Sequence, residues 1–236
     1  MADENKPIKY LRYAIGEIIL VVIGILIALQ INDWNQNRLN KKLEKQYLAS
    51  IIIDLKGESK TFNYQIFDKF QPKIAALLLA KKYYYGNYTI IDTVKFVKTV
   101  GYGGVFSNGS NFGNTATYQE LISSSNFKLL KNEAIKKDII NYYGLSEFFT
   151  EYYNNVRTDY ATYNNSLNPY NPDDRGAINS LDIKRTLEHY KSEKFLNLIN
   201  QELTFGYSIN RRINELDKLA NELILKIEKE INQHHD

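Results

Sequence analysis

Cysteine is absent from this chain of 236 residues. Disulfide staples, a thiol nucleophile and a thiolate metal site are therefore all excluded. Proline is nearly as scarce, with 4, and glycine stands at 12. So few breakers over so long a chain disfavour a turn-rich β fold and favour long helices. A strong charge of either sign is missing too: 30 Lys and Arg against 27 Asp and Glu leave a net +3, which is not the footprint of a nucleic-acid binder. Histidine numbers 3. His234 and His235 fall in a polar tail, and the internal His189 falls on a polar helix surface by pattern. No nucleophile–base set, zinc spacing or paired-carboxylate signature accompanies them. The chain is expected to be no enzyme and to need neither cofactor nor metal.

What the chain does have is an apolar run, "YAIGEIILVVIGILIALQINDWN", residues 13 to 35. From Tyr13 to Ile31 is about 19 residues, which at about 1.5 Å each approaches the thickness of a hydrocarbon core. A cleaved secretory signal would carry a shorter core and a small-x-small cleavage site, neither of which is present. The run therefore reads as an uncleaved signal anchor, with the lipid bilayer as its first partner. Trp34 at one end and Tyr10 and Tyr13 at the other stand where an interfacial aromatic belt would. Lys6, Lys9 and Arg12 precede the run and Arg38, Lys41, Lys42 and Lys45 follow it, so basic residues alone set no clear orientation.

Glu17 is the oddity in this run, about one turn inside its edge. One reading has it snorkel to the headgroups at a cost of about 1 to 3 kcal/mol. The other starts from spacing: Glu17, Val21, Gly24, Ala28 and Ile31 recur at steps of four and three and share one helix face. Gly24 and Ala28 make a small-x-x-x-small pair, which lets two helices approach closely. That face could be a helix–helix interface, in a homo-oligomer or with another membrane protein, where a partner would shield the carboxylate from lipid.

Beyond Trp34 no breaker occurs until Gly57, and the span is expected to continue without a linker. Leu39, Leu43, Tyr47, Ile51, Leu55, Phe62, Ile66 and Phe70 form one apolar stripe of a long amphipathic helix. Pro72 is expected to end or kink it. A further helix over "KIAALLLAKKYYY" closes at Gly86, and 89–100 reads as a short helix with a strand possible. Gly101, Gly103, Gly104, Gly109 and Gly113 mark a loop; without a following Gly-Lys-Ser/Thr it does not read as a phosphate cradle. Thr115 or Thr117 is expected to cap a short helix, Thr117 with Glu120 as a capping box. Asn132 caps the next, with Glu133 at its positive end; Ile135, Ile139, Tyr142, Leu145 and Phe149 form its buried face, and it is expected to run to about 166. "NPYNPDDRGAINSLD" half matches a calcium loop. Arg175 stands where an oxygen ligand belongs, so a helix N-cap at Ser180 accounts for the segment better. A helix from Leu181 to about Leu203 and a last stripe through Ile209, Ile213, Leu216, Ala220, Leu223, Ile227 and Ile231 complete the chain.

The expected fold is all-α: a short tail (1–12), a transmembrane anchor (13–34) and an antiparallel bundle of four or five helices (35–236). Tyr142, Tyr143, Phe149, Tyr152, Tyr153, Tyr160 and Tyr163 crowd what reads as one helix. They are core and boundary residues by default, with an aromatic groove for a ligand or partner as the alternative.

Three stretches carry a family resemblance: the apolar run with its Gly16-Glu17, Ile23-Gly24, Ala28-Leu29-Gln30 and Trp34-Asn35; "TYQELISSSNFKLLKN" (117–132); and "IINYY" (139–143). Together they resemble a family of bacterial single-span inner-membrane proteins catalogued as a domain of unknown function. The middle motif departs at Ser125, where the family pattern has Gly before Asn126. The usual basic lead ahead of the span is also missing here. The resemblance implies an inner-membrane protein with its bulk domain in the periplasm, and no activity. The expectation is a non-enzymatic envelope sensor, scaffold or accessory subunit acting through a membrane partner or self-association. Alternatives are an ion-coupled accessory subunit using Glu17, or an unrecognised enzyme.

Overall fold

The structure is a computed structural model and describes residues 6–101, 104, 115–155, 158–174 and 176–233. Gly103, Gly109, Gly113, Arg175, His234 and His235 lie outside the described residues, as do the side chains of Tyr10 and Tyr13. Helix α1 spans Lys6–Tyr64, a six-residue π segment spans Gln65–Phe70, and α2 spans Gln71–Tyr84. The chain is thus helical from the apolar run to Tyr84, with no linker after Trp34.

Pro72 does not end this helix, contrary to expectation. An α-helix at Pro72 would lack one N–H and crowd the carbonyl a turn earlier. The wider π turn just before it absorbs the misfit: the Gln71 N–H bonds to the Ile66 carbonyl, five residues back.

The remaining elements are α3 (Thr93–Gly101), α4 (Ala116–Ser123), a 3₁₀ turn (Asn126–Leu129), α5 (Glu133–Asn155), α6 (Tyr160–Leu167), α7 (Ser180–Tyr190) and α8 (Glu193–Gln233). Among the described residues the only extended pairing is an isolated bridge between Tyr170 and Ile178. The 41-residue α8 is the spine. Against α1 and α2 it pairs Glu228 with Lys56, Asp217 with Ser59 and Asn200 with Lys81, so the two run antiparallel. Against α5 it pairs Glu230 with Asn132 and Lys226 with Asp138, and Arg212 lies over the Tyr152 ring, again antiparallel. The core between them includes Ile51, Leu55, Phe62, Ile139, Phe195, Ile199, Ile213 and Leu216, nearly all fully buried. Of the expected α1 stripe, Leu39 stays 48 % exposed, so the bundle begins near Leu43 and Tyr47.

Four boundaries differ from the sequence reading. The helix expected to reach 166 stops at Asn155, and α6 is separate. Asparagine and threonine are weak helix formers, and Thr158 instead gives its hydroxyl to the buried Glu202 at 2.5 Å. The last two helices divide at Lys191–Ser192 rather than beyond Leu203, because the Ser192 hydroxyl accepts the Phe195 N–H and caps α8. The cap of α7 is Asn179, one residue before Ser180, accepting the Leu181 N–H at 3.0 Å. The capping box of α4 does not form: the Thr117 N–H goes to the Asp54 carboxylate on α1 at 3.1 Å, and Glu120 accepts from the Tyr47 hydroxyl at 3.0 Å. Asn132 caps α5 as expected.

Ser125, where the resemblance leads one to expect Gly, is the one described non-glycine residue with positive φ, at 58°. The turn takes a conformation that glycine adopts freely, and serine bears the steric cost. Ser125→Gly is expected to stabilise the bundle by about 0.5–1 kcal/mol, read as a higher denaturant midpoint at unchanged slope; an unchanged or lower midpoint would refute the strain.

Candidate functional site

The apolar run stands clear of the bundle. Every described side chain from Ala14 to Leu39 is exposed, and the most apolar window of the helix has none of its residues buried. Val21 is 57 % and Ile31 61 % exposed, and a Cβ added at Gly24 would meet nothing within 4 Å. Because α1 is regular here, Glu17, Val21, Gly24, Ala28 and Ile31 do lie along one face. Unlike a core helix, this run is covered by no other element within the described chain. It is one helix long and apolar enough to cross a membrane.

Deeper in, α1 carries a second feature that the sequence pattern did not disclose. Glu58 is only 3 % exposed, between α1 and α5. Its two carboxylate oxygens are buried together with the Tyr142, Tyr143 and Ser146 hydroxyls, and the Tyr142 hydroxyl faces the carboxylate. Burial pushes the Glu58 carboxyl up to about 7; the facing Tyr142 hydroxyl pulls it partly back, and the Asp54 carboxylate adds to the rise. Burial also raises both tyrosines, helped by the Glu58 charge. Tyr143 stacks on Tyr118 at 4.3 Å, and Ser59 donates to Asp217 at 2.5 Å beside the cluster. The arrangement can hold or release a proton near neutral pH inside the bundle.

A second buried charge lies toward the other end. The Lys73 ammonium donates to the Val100 carbonyl at 2.9 Å and lies 5.0 Å from the centre of the Tyr160 ring. Burial lowers it to about 8, with the Glu202 carboxylate pulling it back up. Glu202 is fully buried, and Gly104 packs so closely against its carboxylate that a Cβ there would collide. Gly101 likewise leaves the Tyr190 hydroxyl 2.6 Å from where a Cβ would sit. The two described glycines of the loop thus serve close packing.

The seven aromatic candidates are dispersed over two helices rather than gathered on one. Tyr142 and Tyr143 face Glu58, Phe149 and Tyr153 are in the core, and Tyr152 lies under Arg212. On α6, Tyr160 is fully buried with its hydroxyl on the Val100 carbonyl, and Tyr163 meets His189 at 3.1 Å. His189 is accordingly half-buried rather than on a polar surface. The missed residues had a signal: Glu58 lies three residues after Leu55 and four before Phe62, on the apolar register itself, as Lys73 lies between Phe70 and Leu77.

The model of a family described as a family of unknown function (DUF6090) matches residues 17–206. No curated protein and no solved structure matches the chain.

Proposed function

The chain belongs to the DUF6090 family, whose function is unknown, and we infer from its own residues that it is a membrane-anchored, non-enzymatic helical-bundle protein. It spans the bacterial inner membrane once, with the bundle on the periplasmic side. It works as a sensor, scaffold or accessory subunit by pairing its N-terminal helix with a second copy or another membrane protein. The observation that carries this reading is one helix with two halves. The described side chains of its first stretch, Ala14 to Leu39, are all exposed and mostly apolar, with a carboxylate on the small-residue face; beyond Leu43 the same helix contributes Ile51, Leu55 and Phe62 to the core. An exposed apolar helix needs cover by lipid or protein, and a helix with no break between the two halves couples whatever covers one to the packing of the other.

The pairing is tested by Gly24→Ile combined with Ala28→Leu in the full-length protein. Larger side chains at both positions block close approach. Self-association in detergent, read by crosslinking or energy transfer, is expected to fall at least tenfold. Unchanged association would sink the self-pairing version. A reporter fused to the C-terminus then distinguishes periplasm from cytoplasm, and a cytoplasmic signal would overturn the orientation.

A further inference from the structure

A groove of about 640 Å³ opens where α1 meets the end of the bundle nearest the apolar run. Leu48, Leu129 and Ile231 form its apolar floor, and Lys41, Lys42, Lys45 and Lys131 surround it. These four lysines are exposed. The carboxylate in the lining, Glu44, is 7 % exposed and accepts the Lys131 backbone N–H at 2.6 Å. The rim therefore presents positive charge from two parts of the chain that only the fold brings together, over an apolar floor.

Its position decides what would fill it. Lys41 to Lys45 lie 7 to 11 residues beyond Trp34 on one regular helix, or about 10–16 Å further along the axis. Headgroups extend several ångströms past the hydrocarbon, lysine stems reach back toward them, and spans commonly tilt by about 20°. Asn132 and the start of α5 border the same end, adding the positive pole of a helix. A ligand with a phosphate and an apolar stem, held at this height, matches both the rim and the floor.

We propose that this groove binds an anionic phospholipid at its headgroup end, the phosphate among Lys41, Lys42 and Lys131 and the adjoining apolar stem on Leu48, Leu129 and Ile231. The proposal rests on residues 14–34 crossing the bilayer. Headgroup binding at this height locks the rotation of α1 against the membrane plane and so sets which face of the span meets a partner.

The full-length protein is reconstituted in nanodiscs of phosphatidylcholine with brominated acyl chains. Quenching of Trp34, the single tryptophan, reports insertion whatever the headgroup. Native mass spectrometry in detergent then compares bound phosphatidylglycerol with bound phosphatidylcholine at equal concentration. The expected result is Trp34 quenching and preferential retention of phosphatidylglycerol. That preference falls roughly fivefold for each of Lys41→Gln, Lys42→Gln and Lys131→Gln, and is unchanged by Lys184→Gln on α7. Quenching without a headgroup preference, or a preference indifferent to the groove lysines, overturns the proposal and leaves the span intact. Equal displacement by inorganic phosphate assigns the groove to soluble anions and overturns it too. Absence of quenching removes the spanning reading and the groove's lipid with it.

Discussion

Glu58→Gln is expected to make the bundle more stable at pH 8 by about 3 kcal/mol and to leave it nearly unchanged at pH 5. The carboxyl is raised from 4.5 to about 7 by burial. Between those values the native state holds a proton that the unfolded chain has lost, so wild-type stability falls as pH rises through this window and is flat above it. A tenfold change in proton affinity corresponds to about 1.4 kcal/mol, and a rise as large as that of Glu58 to roughly 3 kcal/mol. Glutamine keeps the shape and removes the charge, so the penalty disappears. Other carboxylates contribute their own pH dependence, so the measured quantity is the difference between variant and wild type. Denaturant unfolding of the full-length protein at pH 5, 6, 7 and 8 supplies it. A difference that does not grow between pH 5 and pH 8 would show that Glu58 is not buried as a charge.

Glu202→Ala is the second large effect, with an expected loss of about 3–5 kcal/mol at pH 7. The carboxylate is fully buried, takes the Thr158 hydroxyl and holds the Lys73 ammonium up against burial. Its removal strands a cation that is already depressed to about 8. A base lowered in the folded state loses its proton before the unfolded chain does. Stability of the variant should therefore rise with pH from below about 8 up to the ordinary lysine value near 10.5. The partner change Lys73→Met removes the stranded charge and fits a helix that is apolar on both sides at that position. The double variant should recover most of the loss, since buried pairs replaced by apolar residues are often neutral. Two results would count against the pair: a loss below about 1 kcal/mol for Glu202→Ala, or a double variant worse than the sum of its parts.

The two buried charges explain why so much of the fold was legible and why these sites were not. Apolar residues at helical spacing mark a buried stripe, and the α1, α5 and α8 stripes follow from that spacing alone. A charged residue on the stripe breaks the pattern by one position. Spacing cannot tell a glutamate that curls out to water from one sealed under two tyrosines. Glu58 and Lys73 were decided by which helix packs over them, α5 in one case and the Val100 turn with α6 in the other. The same holds for helix ends. Asn132 caps its own helix with its own side chain, a local bond that local sequence reveals. Helix α4 is capped by Asp54, 63 residues away, which no local motif encodes.

The sequence alone determined that this chain is helical, carries one apolar segment of membrane-spanning length with a Glu17–Gly24–Ala28 face, and lacks the residues for thiol or thiolate chemistry. Those properties depend on composition and on periodicities of three and four residues, which act within a single helix. Only the tertiary structure decided that Pro72 is carried through on a π turn, that the aromatics divide between α5 and α6, and that lysines from residues 41 and 131 share one groove. Each of these depends on contacts between residues far apart in the chain, where burial and pairing outweigh local preference.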